Sequence, residues 1–244
     1  MKAVILAGGK GTRLRPYTYV IPKPLMPIGS YPIIETILFR LSKVGMKEVI
    51  ISCSYRHEIL KVHVDEIGKK YGISLTYILD TEDDLGTVGP LAQMKDQLQE
   101  DFIVINGDTL STIDYREIYT HHNTSNNILT IALYDRGVNI DFGVVETENE
   151  RVVDYVEKPS MSFLVSMGVN VYSPLVFQYI PKGKKDFPTL VRELIEKKEQ
   201  VGTYIFEGYW RDIGRQEDYD LANQEGSDTF KRIGLPIVET NDKV

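Results

Sequence analysis

Along the first half of the chain the apolar positions keep switching between two periods. Ala3-Val4-Ile5-Leu6-Ala7 is a continuous apolar run that stops at Gly8-Gly9, which predicts a buried strand over residues 2–7 and a Gly-rich loop after it. Pro32 then opens a segment with Ile33, Ile34, Ile37, Leu38, Leu41 and Val44 at helical spacing, closed by Gly45. The pattern continues as strand 48–53, helix 57–70, strand 73–79, helix 89–98 and strand 101–106. Strands alternating with helices imply an α/β fold of βαβ units around a mainly parallel sheet, and ligands on such sheets bind at the carboxyl ends of strands. Both the Gly-rich loop and Asp108 stand directly after a strand. Beyond about residue 128 the texture changes. Ile128–Tyr134, Gly143–Glu146, Arg151–Glu157 and Val165–Tyr172 read as strands with fewer helices between them, so the sheet is expected to become mixed and to carry a second lobe. Helices at 174–179, 188–198 and 216–223 bracket a last strand, Gly202–Phe206, and the sequence after Gly226 is polar and weakly patterned.

Length and composition narrow the class. A chain of 244 residues fits one large domain, or a domain with a modest lobe, and can bury a substantial core. We expect a single domain over 1–226, with halves at about 1–127 and 128–226, and a tail over 227–244. The net charge of -7 argues against a nucleic-acid-binding surface, so any phosphate site must rest on local cations and backbone amides. The run at 3–7 is too short for a membrane span or a signal peptide. One cysteine, Cys53, excludes an internal disulfide framework and fits a reducing cytoplasm; ending an apolar strand, it reads as a buried, inert thiol.

Chemistry first shows in Leu6-Ala7-Gly8-Gly9-Lys10-Gly11-Thr12-Arg13-Leu14. Glycines let the backbone approach a bound group, and their N–H groups can form an anion trap. Lys10, Arg13 and Arg15 add charge, and Arg13 can grip phosphate oxygens bidentately. The segment is neither the dinucleotide fingerprint, whose third glycine falls on Leu14, nor a P-loop, which would end in Gly-Lys-Ser/Thr. Read blandly, it is a Gly-rich turn between strand and helix. Pro22-Lys23-Pro24-Leu25 places a lysine between two prolines on a stiff, extended backbone, which suits a fixed cation. Asn106-Gly107-Asp108 puts a carboxylate at a strand end, where it could hold Mg²⁺ or close an Asx turn. Asp212, in Tyr209-Trp210-Arg211-Asp212-Ile213-Gly214, is a second metal candidate; the alternative is a turn residue or a surface ion pair with Arg211.

Taken together, Gly-Gly-x-Gly-Thr-Arg-Leu after an N-terminal strand, a Lys-Pro-Leu segment, and Trp210 to Gly214 resemble the sugar-phosphate nucleotidyltransferases over almost the whole chain. The resemblance implies a Rossmann-like, glycosyltransferase-A-like fold, with helices flanking the sheet and a smaller sugar-binding lobe. It implies a Mg²⁺-dependent enzyme that joins an NTP to a sugar 1-phosphate and releases pyrophosphate. The implied metal ligands are Asp108 and Asp212, and Arg13, Lys23 and Asp108 are the implied catalytic groups. Leu6, Ala7, Gly8, Gly9, Gly11, Thr12 and Arg13 would bind the nucleotide, with Gly86 and Thr87 contacting the base from Leu85-Gly86-Thr87-Val88-Gly89-Pro90-Leu91. That last form is similar to mannose-1-phosphate guanylyltransferases, which makes GTP the first expectation; CTP, dTTP and UTP remain alternatives. A helix N-terminal turn accounts for the same residues without a ligand.

In the second lobe the resemblance assigns Glu157 to sugar hydroxyls and Lys158 to phosphate, with Gly143 lining the sugar through the backbone. Bare Glu-Lys-Pro reads as an exposed charge pair before a turn. Many relatives have Asn-Ala-Gly or Asn-Thr-Gly where this chain has Ser166-Met167-Gly168, with Asn170 two residues later, so the acceptor stays open between mannose, heptose and glucose 1-phosphates and a non-sugar phosphate. A regulatory subunit that binds sugar nucleotides without making them is the reading from another class. The partners expected are therefore small molecules, with no nucleic acid or membrane, and the chain is expected as a monomer or homodimer. His57, His63, His121 and His122 lack metal spacing and read as solvated or helix-surface residues, and the acidic run Asp80–Asp84 reads as solvated.

Overall fold

The computed structural model describes residues 1–80 and 84–237. Its first half contains β1 (Lys2–Leu6), β2 (Pro27–Ile28), β3 (Tyr31–Pro32), α1 (Ile33–Lys43), β4 (Glu48–Cys53), α2 (His57–Tyr71), β5 (Ser74–Leu79), β6 (Phe102–Asn106), β7 (Thr109–Ser111) and α3 (Tyr115–Ser125). The second contains β8 (Leu129–Asn139), β9 (Val144–Glu148), β10 (Arg151–Val156), β11 (Ser160–Tyr172), α4 (Phe187–Glu196), β12 (Val201–Phe206), β13 (Trp210–Asp212) and α5 (Gln216–Ile233). A seven-stranded sheet runs in the order β12-β8-β11-β6-β1-β4-β5, parallel throughout except for β11.

Burial explains the central position of β1. Ala3, Val4 and Ile5 are wholly inaccessible, because β1 is paired on both edges and covered on both faces, as a continuous apolar run requires. One core layer lies under α1 and α2 (Ile34, Ile37, Leu38, Leu60, Val64), and a second lies between the sheet and α4 (Leu91, Phe102, Tyr172, Leu190, Leu194). A third packs α5 against the β2–β3 hairpin through Phe230, Ile233, Ile28 and Tyr31.

Several expectations shift. The segment expected to be helical at 89–98 is a 3-10 helix over Gly89–Met94, and 174–179 is a 3-10 helix over Pro174–Gln178; each has a proline in its first two positions, and neither extends into regular α-helix. Lys23 is not on extended backbone: Lys23–Leu25 form one 3-10 turn, closed by Leu25 N donating to Pro22 O at 2.8 Å. α5 continues ten residues past the expected stop at 223, across a kink at Gly226, because Phe230 and Ile233 bury themselves in the third core. His122 is buried rather than solvated, and its Nδ1 pairs with Thr130 Oγ1 at 2.8 Å. Among the described residues no helix is long and apolar enough to cross a membrane.

β8 and β11 are longer than their apolar runs suggested. Their inner halves sit in the sheet, and a register shift lies between Ser166 and Asn170; beyond Tyr134, which still pairs with Phe206 of β12, the outer parts pair only with each other, Asp135–Asn139 against Ser160–Leu164. This ribbon and the separate β9–β10 hairpin form an arm whose side chains are almost all exposed.

Candidate active site

β1 ends at Leu6, and the loop after it is tied from three sides. Ala7 N donates to Ser52 O at 2.7 Å, Gly107 N donates to Leu6 O at 2.9 Å, and Ser54 Oγ donates to Gly8 O at 2.7 Å. Gly11 adopts φ 59°, the left-handed region that favours glycine. A Cβ there would lie 2.9 Å from Thr18 Cγ2 and 3.2 Å from Lys23 Cβ, so the glycine also lets the stem of Lys23 lie against the loop. Leu14, fully buried, anchors the far end, while Gly9, Lys10, Thr12 and Arg13 face solvent. Nothing in the protein lies within 4 Å of where a Cβ on Gly9 would stand, so the space above the loop is open to a ligand.

Two carboxylates distant in sequence meet beside this loop. β7 pairs antiparallel with β13, Thr109 opposite Asp212, and Ile213 N donates to Asp108 O at 2.9 Å. Sequence spacing alone could not bring Asp108 and Asp212 together; this short ladder does. Lys23 Nζ pairs with Asp108 Oδ2, and Arg13 is close enough to Asp212 to stabilise its charge. Burial, and then the neighbouring negative charge of Asp108, push the Asp212 carboxyl up to about 6. Asp108 Oδ1 is buried without a hydrogen-bond partner. An orphaned carboxylate oxygen beside a second carboxylate that resists ionisation is a site that a hard cation would satisfy. Among the described residues no cluster of three or more His, Cys, Asp or Glu could hold a metal. A pair of carboxylates suits Mg²⁺, which takes few protein ligands and completes its shell with water and phosphate oxygens.

Next to this pair a cavity of about 200 Å³ opens at the carboxyl ends of β1 and β6, opposite the irregularity in β11. Leu6, Thr87, Asn106, Ser166, Gly168 and Asn170 line it. Asn170 is buried and its Oδ1 has no partner, so an acceptor points at whatever fills the space. Asn106, Ser166 and Gly168 were not singled out as ligands from sequence. Asn106 directly precedes Gly107-Asp108, and that adjacency was the available signal.

Gly86 and Thr87 hold the chain to the start of α4. Thr87 Oγ1 accepts from Phe187 N at 2.7 Å, and Gly86 lies against Lys185 and Asp186. Leu85, Val88 and Gly89 also spend backbone groups on Lys185, so packing accounts for much of this motif. The remaining expected residues stand elsewhere. Gly143, Glu157 and Lys158 are on the arm, and none of them lines the cavity. Tyr155 hydroxyl fills the space beside Gly143 and donates to Glu157 Oε2 at 2.8 Å. Asp80 is half-buried rather than solvated, with Ser52 Oγ donating to its Oδ1 at 3.1 Å, whereas Asp84 is exposed and paired with Lys184. The rest of that acidic run, residues 81–83, lies outside the described residues.

The Nucleotidyl transferase family profile matches residues 2–228. Mannose-1-phosphate guanyltransferase of Saccharomyces cerevisiae is 31% identical over 232 residues, covering 90% of this chain and 63% of the yeast protein. Mannose-1-phosphate guanylyltransferase of Mycobacterium tuberculosis is 33% identical over 227 residues, 89% of this chain and 62% of that protein. The chain thus spans just under two thirds of these relatives. Among solved structures, a putative glucose-1-phosphate thymidylyltransferase from Bacillus anthracis, in complex with a sucrose, superposes with TM-score 0.75 at 26% identity, covering 93% of this chain and 96% of that one. HddC from Yersinia pseudotuberculosis, also solved complexed with GMP-PN, gives TM-score 0.70 at 26% identity over 92% and 98% of the two chains.

Proposed function

This chain belongs to the nucleotidyl transferase family, and from that premise we propose that it transfers the nucleoside monophosphate of an NTP to a sugar 1-phosphate, releasing pyrophosphate and yielding an NDP-sugar. The observation that carries this is the convergence of Asp108, Asp212, Lys23 and Arg13 beside the Gly-rich loop after β1. GTP is the base we favour, with mannose or heptose 1-phosphate as acceptor, supported by the guanylyltransferase names of the relatives. A second reading, dTTP with glucose 1-phosphate, draws on the name of the B. anthracis neighbour. A non-catalytic regulatory subunit is disfavoured because both carboxylates and both cations are present.

Two anions must approach one another, so the chain's task is positioning and charge neutralisation. Arg13 and the loop amides hold the departing pyrophosphate. Lys23, packed against Gly11, neutralises charge on the α-phosphate. The acceptor phosphate is ionised at neutral pH and attacks the α-phosphorus without a general base. Mg²⁺ held by Asp108 and Asp212 would offset the charge of the reacting phosphates. Glu157 takes sugar hydroxyls and Lys158 the sugar phosphate, which requires the arm to present them to the acceptor. The single cysteine, buried and without a disulfide partner, supports a cytoplasmic setting.

The test is pyrophosphate release with Mg²⁺, crossing GTP, CTP, dTTP, UTP and ATP with mannose, glucose and heptose 1-phosphates. Strong release with GTP and mannose or heptose 1-phosphate is expected. Release confined to another pair would reassign base and sugar, and silence across the grid would contradict the transferase reading.

A further inference from the structure

Asp80 stands at the carboxyl end of β5, on the flank of the Gly-rich loop opposite Asp108. Leu6 pairs with Ser52 and with Asn106, and Ser52 pairs with Ile78. Paired residues of parallel strands point to one face, and Asp80 lies two residues beyond Ile78. Asn106, Leu6, Ser52 and Asp80 therefore form a row across the strand ends, on the face of the second core layer. The ends of the row are three strand spacings apart, on the order of 14 Å. The cavity of about 200 Å³ occupies the Asn106 end, and Asp80 closes the other.

Contact between Asp80 and the loop is close. A Cβ on Gly8 would stand 2.7 Å from Asp80 Oδ2 and 3.3 Å from Ser54 Oγ, so it is the glycine that lets the loop come this near the carboxylate. Ser52 Oγ donates to Asp80 Oδ1 at 3.1 Å from a buried position and holds the group in place. Burial pushes the Asp80 carboxyl above the ordinary carboxylate range, and the Ser52 hydroxyl offsets this only in part. Among the described residues no Lys, Arg or His forms an ion pair with it. A half-buried carboxylate in this setting is an acceptor with capacity to spare, since its two oxygens offer about four lone-pair sites.

We propose that Asp80 selects guanine, its carboxylate accepting from N1–H and the 2-amino group of a nucleotide whose base lies over Leu6 and Gly8. This rests on the reading of the loop after β1 as the nucleotide site. There the triphosphate belongs to the Arg13, Lys23 and Asp108 side, which leaves the base to the β4–β5 side. Leu6 is apolar and Gly8 has no side chain, so a flat ring can lie against them. Guanine alone among the five bases presents two adjacent donors on its Watson–Crick edge. Adenine and cytosine put a ring acceptor there, and uracil and thymine flank a single donor with two carbonyls, so each sets an acceptor against Asp80. A ribose diol also offers two donors, and the experiment separates it from the base.

Isothermal titration calorimetry with Mg²⁺ on the whole chain, using GTP, ITP, 2′-deoxyGTP and XTP, is the test. ITP lacks the 2-amino group, and XTP carries a carbonyl in its place. Wild type should bind GTP about 10–100-fold more tightly than ITP. In Asp80→Asn that gap should close to about threefold or less, because the new amide N–H₂ faces the 2-amino group. XTP, whose carbonyl accepts from that N–H₂, should gain about tenfold, a gain that a misfolded variant could not show. A wild type that binds GTP and ITP alike, or a gap unchanged in Asp80→Asn, would overturn the proposal. So would a loss shared by GTP and ITP but absent for 2′-deoxyGTP, which would place Asp80 on the ribose. Pyrophosphate release with GTP alongside an unchanged gap would sink the role of Asp80 and leave the transfer reading standing. A closed gap with no release from any pair of substrates would do the reverse.

Discussion

The two halves of the proposed site are built in opposite ways. Around β1 the charged groups are held against one another: Lys23 on Asp108, Asp108 tied to the Asp212 strand end, and the loop pinned through Ala7, Gly8 and Gly107. On the arm, Glu157 and Lys158 stand in solvent and the nearest restraint is the Tyr155 hydroxyl. The groups proposed to handle phosphate are thus preorganised, and those proposed to handle the sugar depend on where the arm lies. Preorganised charge lowers the barrier to reaction, whereas groups ordered only when the acceptor arrives contribute mainly to its affinity.

Substitutions should separate the halves along that line. Asp108→Asn strikes the inner half hardest, since it removes charge from the proposed metal site; turnover at saturating substrates is expected to fall about 1,000-fold in a pyrophosphate-release assay. Lys23→Met should lower kcat on the order of 100-fold, with smaller changes in both KM values. Glu157→Gln should instead raise KM for the sugar phosphate about tenfold and leave KM for the NTP unchanged. A matching rise in KM for the NTP would mean that the halves are not separate. His122 probes the body far from either half. Burial holds its pKa below the ordinary 6.5, against the opposing pull of Asp101. The unfolded chain therefore binds that proton more readily, so this contribution to stability is complete above 6.5 and declines as the pH falls below it. His122→Gln should flatten that decline in melting temperature, measured across the same window.

The same contrast governs what could be read from sequence. β1, α1, β4 and α2 were legible because each buries a periodic apolar face, and their expected limits fall within a residue or two of those observed. The outer halves of β8 and β11 were not. Val138, Met161, Phe163 and Leu164 are exposed rather than set against a core of this chain, and Leu164 and Arg136 interrupt the alternation, so no clean period marks these outer parts. α5 was cut short at 223 because Gln224 to Asp228 is polar, while Phe230 and Ile233 find a core only once the β2–β3 hairpin lies beside them. In the site, the loop and both carboxylates were visible as motifs. Their meeting depends on the β7–β13 ladder, which no local pattern announces. Ser166 and Gly168 enter the cavity through the register shift in β11, a feature of pairing rather than composition, whereas Asn106 reaches it from the end of β6.

The central claim is that Asp108 and Asp212 together hold the metal that serves the reacting phosphates. It is tested most directly by Mn²⁺ binding to the protein saturated with a non-hydrolysable GTP analogue, followed by electron paramagnetic resonance. The nucleotide's own affinity for the metal is common to every variant, so differences report on the protein. The account predicts Mn²⁺ held about 10–100-fold more weakly in Asp212→Asn than in the wild type. Equal affinity in the two proteins, with nucleotide binding intact, would contradict it.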